Sequence, residues 1–459
     1  MNTMENDLVG QLKKFIPAEQ ITANPTVLEQ HSKDESYHTP HLPDVVVFPK
    51  SAEEVSRIMK FANEKNIPVT PFGMGTSLEG HVIPYQGGIS LDFQLMNEVL
   101  EVRPTDFLVR VQPGVTRSQL NKALKKHGLF FTVDPGADAT LGGMAATNAS
   151  GTTSVRYGIM RDQVRDLEVV LADGRIIHTG NMTAKSSSGY HISSLFVGSE
   201  GTLGVFTELT LRVYGLPEVI TAARAVFSSV EDAVTTVVST LSAGIPIARM
   251  ELVDARSIKQ VNAYNNTTYP EKPTLFIEFH GSEGGLSYDI EFTQNIALEN
   301  GCQEFLFETD SKARSQLWDV RHSLAYAFVH KSPGKKMMVT DVCVPISELV
   351  GAIVDARNHI DGSELDAGIV GHVGDGNYHV ILMIDLNDPE EVSKAKEFNA
   401  HLVEYALSRG GSCTGEHGVG VGKAHYQRRE HGEALDIMMA IKDVLDPKGI
   451  LNPGKIFMD

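Results

Sequence analysis

Hydrophobic positions change period several times along this chain. Asp44-Val-Val-Val-Phe48 is an unbroken apolar run of strand length. After Pro49, Ser51-Ala-Glu-Glu54 has the spacing of a capping box and opens a helix with Val55, Ile58, Met59 and Ala62 on one face. Val69 to Phe72 reads as a second strand. Thr116-Arg-Ser-Gln119 opens another helix that Gly128 stops, and the stretch from Leu167 to His178 is a hairpin turning at Asp173-Gly174. The order predicts an α+β fold without the regular βαβ rhythm of a doubly wound sheet.

Between these elements lie three loops rich in glycine and hydroxyls and almost free of charge. They run from Pro71 through Gly73, Gly75, Thr76 and Ser77 to Gly80, from Asp134-Pro135-Gly136 to Gly151, and from Gly198 to Gly204. Successive backbone N–H groups in such loops make anion-binding nests, and Ser and Thr hydroxyls add donors, so a pyrophosphate-bearing cofactor is the natural occupant. Familiar nucleotide motifs fail on spacing. Gly73-Met-Gly75 has Leu78 where GxGxxG needs glycine, and Gly418 to Lys423 has the wrong interval, with Ala424 where a P-loop has Ser or Thr.

At 459 residues the chain exceeds the size at which single cores stop growing, so two or more domains are expected. Its 42% hydrophobic and 21% charged content is that of an ordinary globular protein, and a net charge of -18 argues against nucleic acid as a partner. The three cysteines, Cys302, Cys343 and Cys413, lie far apart and form no CxxC pair. Neither a disulfide framework nor a Cys-ligated metal or cluster follows, and a reducing cytoplasm fits. The N-terminal Met-Asn-Thr-Met-Glu-Asn-Asp lacks the apolar region of a secretory signal, and no run approaches the ~18 apolar residues of a spanning helix. The expectation is a cytoplasmic protein with at most peripheral contact at the inner membrane face.

The densest candidate chemistry lies later. Gly371-His372-Val373-Gly374-Asp375-Gly376-Asn377-Tyr378-His379 and Gly415-Glu416-His417-Gly418 together offer two imidazoles and a carboxylate for a divalent ion, with His417 left to take a proton. On a helix His372 and His379 would stand about 10 Å apart, too far to grip one ion. In a strand-turn-strand hairpin with Asp375-Gly376 at the turn, both can point at one site. Two hydrogen-bonded histidines flanking a hairpin are the plainer alternative. Glu416 and His417, as neighbours, would face opposite ways on a strand, and the glycine-rich loop around them lifts that restriction.

The loops, with Asn148-Ala-Ser-Gly151, Arg156-Tyr-Gly158 and Gly198-Ser-Glu-Gly-Thr-Leu-Gly204, resemble the FAD-binding domain of the vanillyl-alcohol oxidase / p-cresol methylhydroxylase superfamily. Leu317-Trp-Asp-Val-Arg-His322, Thr340-Asp-Val-Cys-Val-Pro345, the two glycine-rich histidine segments, Leu445-Asp-Pro-Lys-Gly449 and Asn452-Pro-Gly-Lys455 resemble its FAD-dependent D-lactate dehydrogenase branch. The resemblance runs from about Pro43 to the C-terminus. It implies a two-subdomain FAD-binding domain over residues 1–216, a cap domain with an antiparallel sheet over 217–400, and a segment over 401–459 that closes the flavin site.

On this resemblance noncovalent FAD is held by Pro71, Gly73, Gly75, Thr76, Ser77, Gly80, Pro135, Gly136, Gly142, Gly143, Asn148, Ser150 and Gly151, with Gly201, Thr202 and Val205 towards the adenine and Asn452 also near the cofactor. His81 lies later in its loop than the flavin-linking histidines of superfamily members. His372, His379 and Glu416 would hold the ion, zinc or manganese, with iron compatible. His417 would be the general base, and Arg321 and Lys336 the contacts to a substrate carboxylate. The implied reaction is oxidation of a D-2-hydroxy acid, D-lactate to pyruvate in the first place, with hydride passing to flavin N5. Electrons would leave to a separate quinone, cytochrome or electron-transfer flavoprotein, and a homodimer is left open.

Ile381 stands where relatives acting on D-2-hydroxyglutarate carry a polar Asn, so the chain looks less like a dicarboxylate enzyme. A glycolate oxidase subunit is the near alternative. A non-redox FAD transferase and a flavin-free metallohydrolase are the distant ones.

Overall fold

The computed structural model describes residues 5–458. The chain forms two compact units, one of Met1–Ala149, Ile159–Leu216 and His417–Asp459, the other of Ser150–Gly158 and Pro217–Glu416.

The first unit carries a small mixed sheet. Its order is Ile21–Thr22, Val45–Val47, Ile89–Asp92, Val69–Phe72, with the first pair antiparallel and the other two parallel. The helix after Pro49 forms as the spacing predicts: Ser51 Oγ accepts from Glu54 N at 3.3 Å, and the helix runs Ala52–Lys65 until Asn66 turns left-handed. Val55, Ile58, Met59 and Ala62 bury their face against Val45, Val47, Val69, Ile89 and Leu91. The segment around Ile450 completes this layer, since Val69 N donates to Ile450 O at 2.8 Å and Asn452 N to Val69 O at 2.9 Å. The unit's second sheet is antiparallel and five-stranded, in the order Val99–Arg103, Leu108–Val111, Val205–Arg212, Val164–Val170, Ile176–His178. The last two strands are the hairpin expected around Asp173-Gly174. Helices Arg117–Lys125 and Leu141–Thr147 cover this sheet with Leu120, Leu124, Leu141 and Met144.

The second unit is built on an eight-stranded antiparallel sheet. Its path is Glu304–Glu308, Val219–Val226, Thr274–Gly281, Ile247–Val253, Ala367–Gly371, Asn377–Ile384, Lys336–Val339, and Val342–Cys343 also pairs with the Asn377–Ile384 strand. Directly opposed residues of antiparallel strands share a face, and faces alternate along each strand. Val253 opposes Val370, Val370 opposes His379, Glu251 opposes Phe276, and Arg249 opposes Glu278. Arg249, Glu251, Glu278 and His379 therefore lie on one face with Ile381 and Met383. Helices Ser311–His322 and Leu324–Lys331 pack on that face through Leu317, Trp318, Leu324 and Phe328.

The division of the chain differs from the expected 216/400 boundaries in two places. Ser150–Gly158 belongs to the second unit, and the return to the first comes at His417, not at residue 401. The Pro389–Ser408 helix explains the later return, because Ala395, Phe398, Leu402, Val403 and Ala406 bury its inner face within the second unit. Among the described residues no helix is long and apolar enough to cross a membrane.

Candidate metal centre and flavin-binding loops

The hairpin expected around Asp375-Gly376 is present. The strand ending at Gly371 leads into a turn whose Gly376 has φ +87°, and the returning strand starts at Asn377. His372 sits just past the first strand and His379 within the second. Glu416 comes to both: its Oε1 lies 3.3 Å from His372 Nε2 and 3.0 Å from His379 Nε2. The imidazole rings stand nearly perpendicular, and one ligand atom from each of the three residues lies within 4.8 Å of the others.

The outer nitrogens of the rings settle which way their lone pairs point. His379 Nδ1 is 3.0 Å from Thr340 O, a carbonyl that can only accept, so Nδ1 carries the proton and Nε2 presents its lone pair. His372 Nδ1 faces the Glu251 carboxylate at 2.6 Å, so an ion that displaced the proton held between Nε2 and Glu416 would meet a lone pair there as well. Two imidazole lone pairs and a carboxylate converging in this way fit a divalent ion with positions left open. Burial alone would raise the Glu416 carboxyl, but the two imidazoles outweigh it and hold it well below the ordinary range. Burial would lower His372, and the carboxylates of Glu251 and Glu416 instead push it well above its ordinary value.

Two carboxylates that the sequence reading passed over build this arrangement. Asp341, fully buried, accepts from Thr414 Oγ1 at 2.6 Å, Gly415 N at 2.9 Å, Glu416 N at 3.0 Å and Asn377 Nδ2 at 2.8 Å. It thereby fixes the loop that delivers Glu416 to the hairpin. Glu251, also fully buried, takes Arg321 Nε at 2.8 Å on the oxygen not used by His372. The available signal was an acid two residues from Arg249 within an otherwise apolar strand, Ile-Ala-Arg-Met-Glu-Leu-Val253.

Arg321 thus arrives beside the triad through Glu251. Lys336 does not: it opens its strand at the exposed end opposite Ile384, on the face away from His379. Five residues separate it from the position opposite His379, about 17 Å along the strand. Alternation and distance together remove it from this cluster. Ser150 and Gly151, expected with the flavin loops, fall in the second unit, where Ser150 Oγ donates to Glu416 Oε2 at 3.0 Å. His417 is peptide-bonded to Glu416 and begins the last segment of the first unit.

Within the first unit the three glycine-rich loops meet. A Cβ on Gly73 would stand 2.5 Å from Thr140 Oγ1, and one on Gly201 would press on the Pro71 ring at 3.0 Å. Gly198 N and Glu200 N donate to Ala145 O and Ala146 O at 2.9 and 2.8 Å. Gly142, Gly143 and Asn148 lie on, or cap, the helix between them. Backbone this closely drawn together, with Thr and Ser side chains among it, fits the nest expected for a diphosphate. Glu200 locks the rim: its carboxylate accepts from Val419 N at 2.6 Å and Gly420 N at 2.8 Å, and its carbonyl accepts from Asn452 Nδ2 at 2.7 Å. Pro135 and Gly136 lie in the loop before Thr140, Val205 starts its strand, and Gly80 leads into His81. Buried His81 has its Nε2 3.3 Å from Glu200 Oε1.

Comparison with known proteins places the chain by class. Residues 43–180 match the family described as FAD binding domain, and residues 216–456 match FAD linked oxidases, C-terminal domain. The chain belongs to the FAD-linked oxidases. The individual relatives are narrower in kind. A probable mitochondrial D-lactate dehydrogenase of Danio rerio is 46% identical over 453 residues, covering 98% of this chain and 91% of its own. A mitochondrial D-lactate dehydrogenase (cytochrome) of Arabidopsis thaliana is 41% identical over 457 residues, covering 96% of this chain and 81% of its own. A crystal structure of p-cresol methylhydroxylase with substrate bound matches with a TM-score of 0.81 at 19% identity, over 100% of this chain and 98% of that one, a likeness of fold. The relatives correct the expected location. Both dehydrogenases are named mitochondrial, which points away from the cytoplasmic location expected from the sequence.

Proposed function

We propose that this protein oxidises D-lactate to pyruvate with FAD, using a divalent ion held by His372, His379 and Glu416. The observation that carries the reading is the convergence of both histidine Nε2 atoms on Glu416 Oε1, at 3.3 and 3.0 Å, in a chain of the FAD-linked oxidase family. Making a ketone from the alcohol removes the hydroxyl proton and the α-hydrogen with its electron pair. When bound, FAD supplies the acceptor for that pair, and electrons leave afterwards to a separate acceptor, a cytochrome by the printed name of the Arabidopsis relative. An ion in the triad supplies positive charge that lowers the cost of deprotonating the hydroxyl.

The remaining roles belong to side chains. His417, next to Glu416, takes the hydroxyl proton, as an imidazole near its working pH can. Arg321 spends Nε on Glu251 and keeps the outer edge of its guanidinium for the substrate carboxylate, a planar fork that lysine lacks. The loops around Gly73, Gly142, Gly143 and Asn148 hold the cofactor's phosphates and flavin, with Gly201 and Val205 towards the adenine. Zinc and manganese both suit the donor set.

The test is anaerobic flavin reduction with a panel of D- and L-2-hydroxy acids, with metal analysis of the same sample. D-lactate should bleach the flavin, L-lactate should not, and His372→Ala or His379→Ala should lose metal and activity together. Full activity in a demonstrably metal-free sample, or equal bleaching by both enantiomers, contradicts the reading.

A further inference from the structure

We propose that Glu251 is a positioning residue that ties the metal centre to the substrate-carboxylate clamp, so that the affinity for the ion and the setting of Arg321 are coupled through one carboxylate. The proposal rests on the assignments of His372, His379, Glu416 and Arg321 made above. Glu251 is fully buried, and its two oxygens go to different partners: Oε1 meets His372 Nδ1 at 2.6 Å and Oε2 accepts from Arg321 Nε at 2.8 Å. From its strand, facing the covering helices, this single short side chain reaches both. Beneath it the sheet supplies His372 just past the neighbouring strand, and above it the Ser311–His322 helix supplies Arg321.

Each bond has a different job. The bond to His372 keeps the proton on Nδ1, which leaves Nε2 as the donor to an ion and raises its basicity. The bond to Arg321 fixes the inner edge of the guanidinium and so the plane in which the outer edge meets a carboxylate. Because both draw on the same negative charge, strengthening one weakens the other. When a substrate carboxylate takes the outer edge of Arg321, the hold of Arg321 on Glu251 relaxes and more of that charge is left to His372. Binding of substrate and of ion then favour each other, and the coupling is reciprocal.

A double-mutant cycle tests this on FAD-loaded protein without substrate. Zinc and manganese dissociation constants are measured by competition with a chromogenic chelator for wild type, Glu251→Gln, Arg321→Met and the double variant. Glu251→Gln should weaken metal binding roughly 10–100-fold, the usual effect of removing a partner behind a ligand histidine. It should also raise KM for D-lactate at saturating metal. Arg321→Met should shift the metal constant several-fold in the wild-type background and much less in the Glu251→Gln background. A through-space charge effect of Arg321 on the ion would persist in both backgrounds and so cancels in the cycle. Additive effects, or a Glu251→Gln protein with unchanged metal affinity and KM, overturn the proposal. If Glu251→Gln loses its flavin, Glu251→Asp, whose carboxylate is too short to span both partners, replaces it in the same cycle. A wild type that binds no metal overturns the metal assignment and this proposal with it, whereas stoichiometric metal with an additive cycle overturns this proposal alone.

Discussion

Lys455 is a cation kept almost wholly from water: its Nζ donates to Ile83 O at 2.8 Å and lies 5.1 Å from the centre of the Tyr85 ring. Burial lowers its pKa from 10.5 to about 8, against the pull of Glu200 and Asp34. The folded state therefore gives up this proton before the unfolded chain does. Below pH 8 the buried charge is a full penalty on stability, and between about 8 and 10.5 the penalty is relieved, so this residue makes stability rise with pH. The swing is at most ~3 kcal/mol. Lys455→Met should remove it, which chemical denaturation of both proteins at pH 7.5 and 10 checks; parallel stability differences at the two pH values would contradict the assignment. Asp341 is a residue of the opposite kind, a carboxylate saturated by four donors. Asp341→Asn turns one acceptor into a donor facing other donors, which costs about 1–3 kcal/mol for each group left unsatisfied. The Glu416 loop should loosen, and metal affinity should fall with the melting temperature; a variant with native metal affinity would show that the loop is held by other contacts.

Among the elements, the His372–His379 hairpin depends on one backbone conformation. Gly376 has φ +87°, and a Cβ there would stand 2.2 Å from Val344 O, so Gly376→Ala meets both strain and a backbone collision. We expect the second unit to melt several degrees lower, at roughly 2–4 °C per kcal/mol, and metal stoichiometry to drop, as read by calorimetry and metal analysis. The local elements were legible because their signals are local: Ser51 to Glu54 caps its helix, Asp173-Gly174 turns its hairpin, and glycines between two histidines mark a strand-turn-strand. Strand neighbours were not legible. That Glu251 faces His372 follows from pairing the Ile247–Val253 strand with Ala367–Gly371, residues more than a hundred positions apart, and no period within either strand encodes that register. Lys336 was placed with Arg321 by resemblance alone, and the strand alternation that excludes it needs the same long-range pairing. The change of unit directly after Ala149 was not legible either, because the glycine- and hydroxyl-rich run from Asp134 to Gly151 continues across it without a break in composition.

For the molecule as a whole the first quantity is charge. A net charge of -18 would attract a basic partner from a distance, an effect screened beyond a Debye length of about 8 Å at physiological ionic strength. Reoxidation of the reduced enzyme by a cationic cytochrome should slow steeply between 20 and 300 mM salt, roughly tenfold or more, while an uncharged dye acceptor should show little change. Stopped-flow rates with both acceptors check this, and a salt-independent cytochrome rate would mean that docking is not electrostatically steered. The second quantity is the order in which the chain is made. Val69 takes its outer partner from Ile450 to Asn452, so a strand translated early waits for residues about 380 positions later. At ~5–20 residues per second a ribosome needs about 20–75 s to supply them, long enough for the stretch from Pro217 to Glu416 to emerge and collapse first. Until then the nascent FAD-binding half carries an open sheet edge at Val69, the kind of surface that chaperones exist to shield.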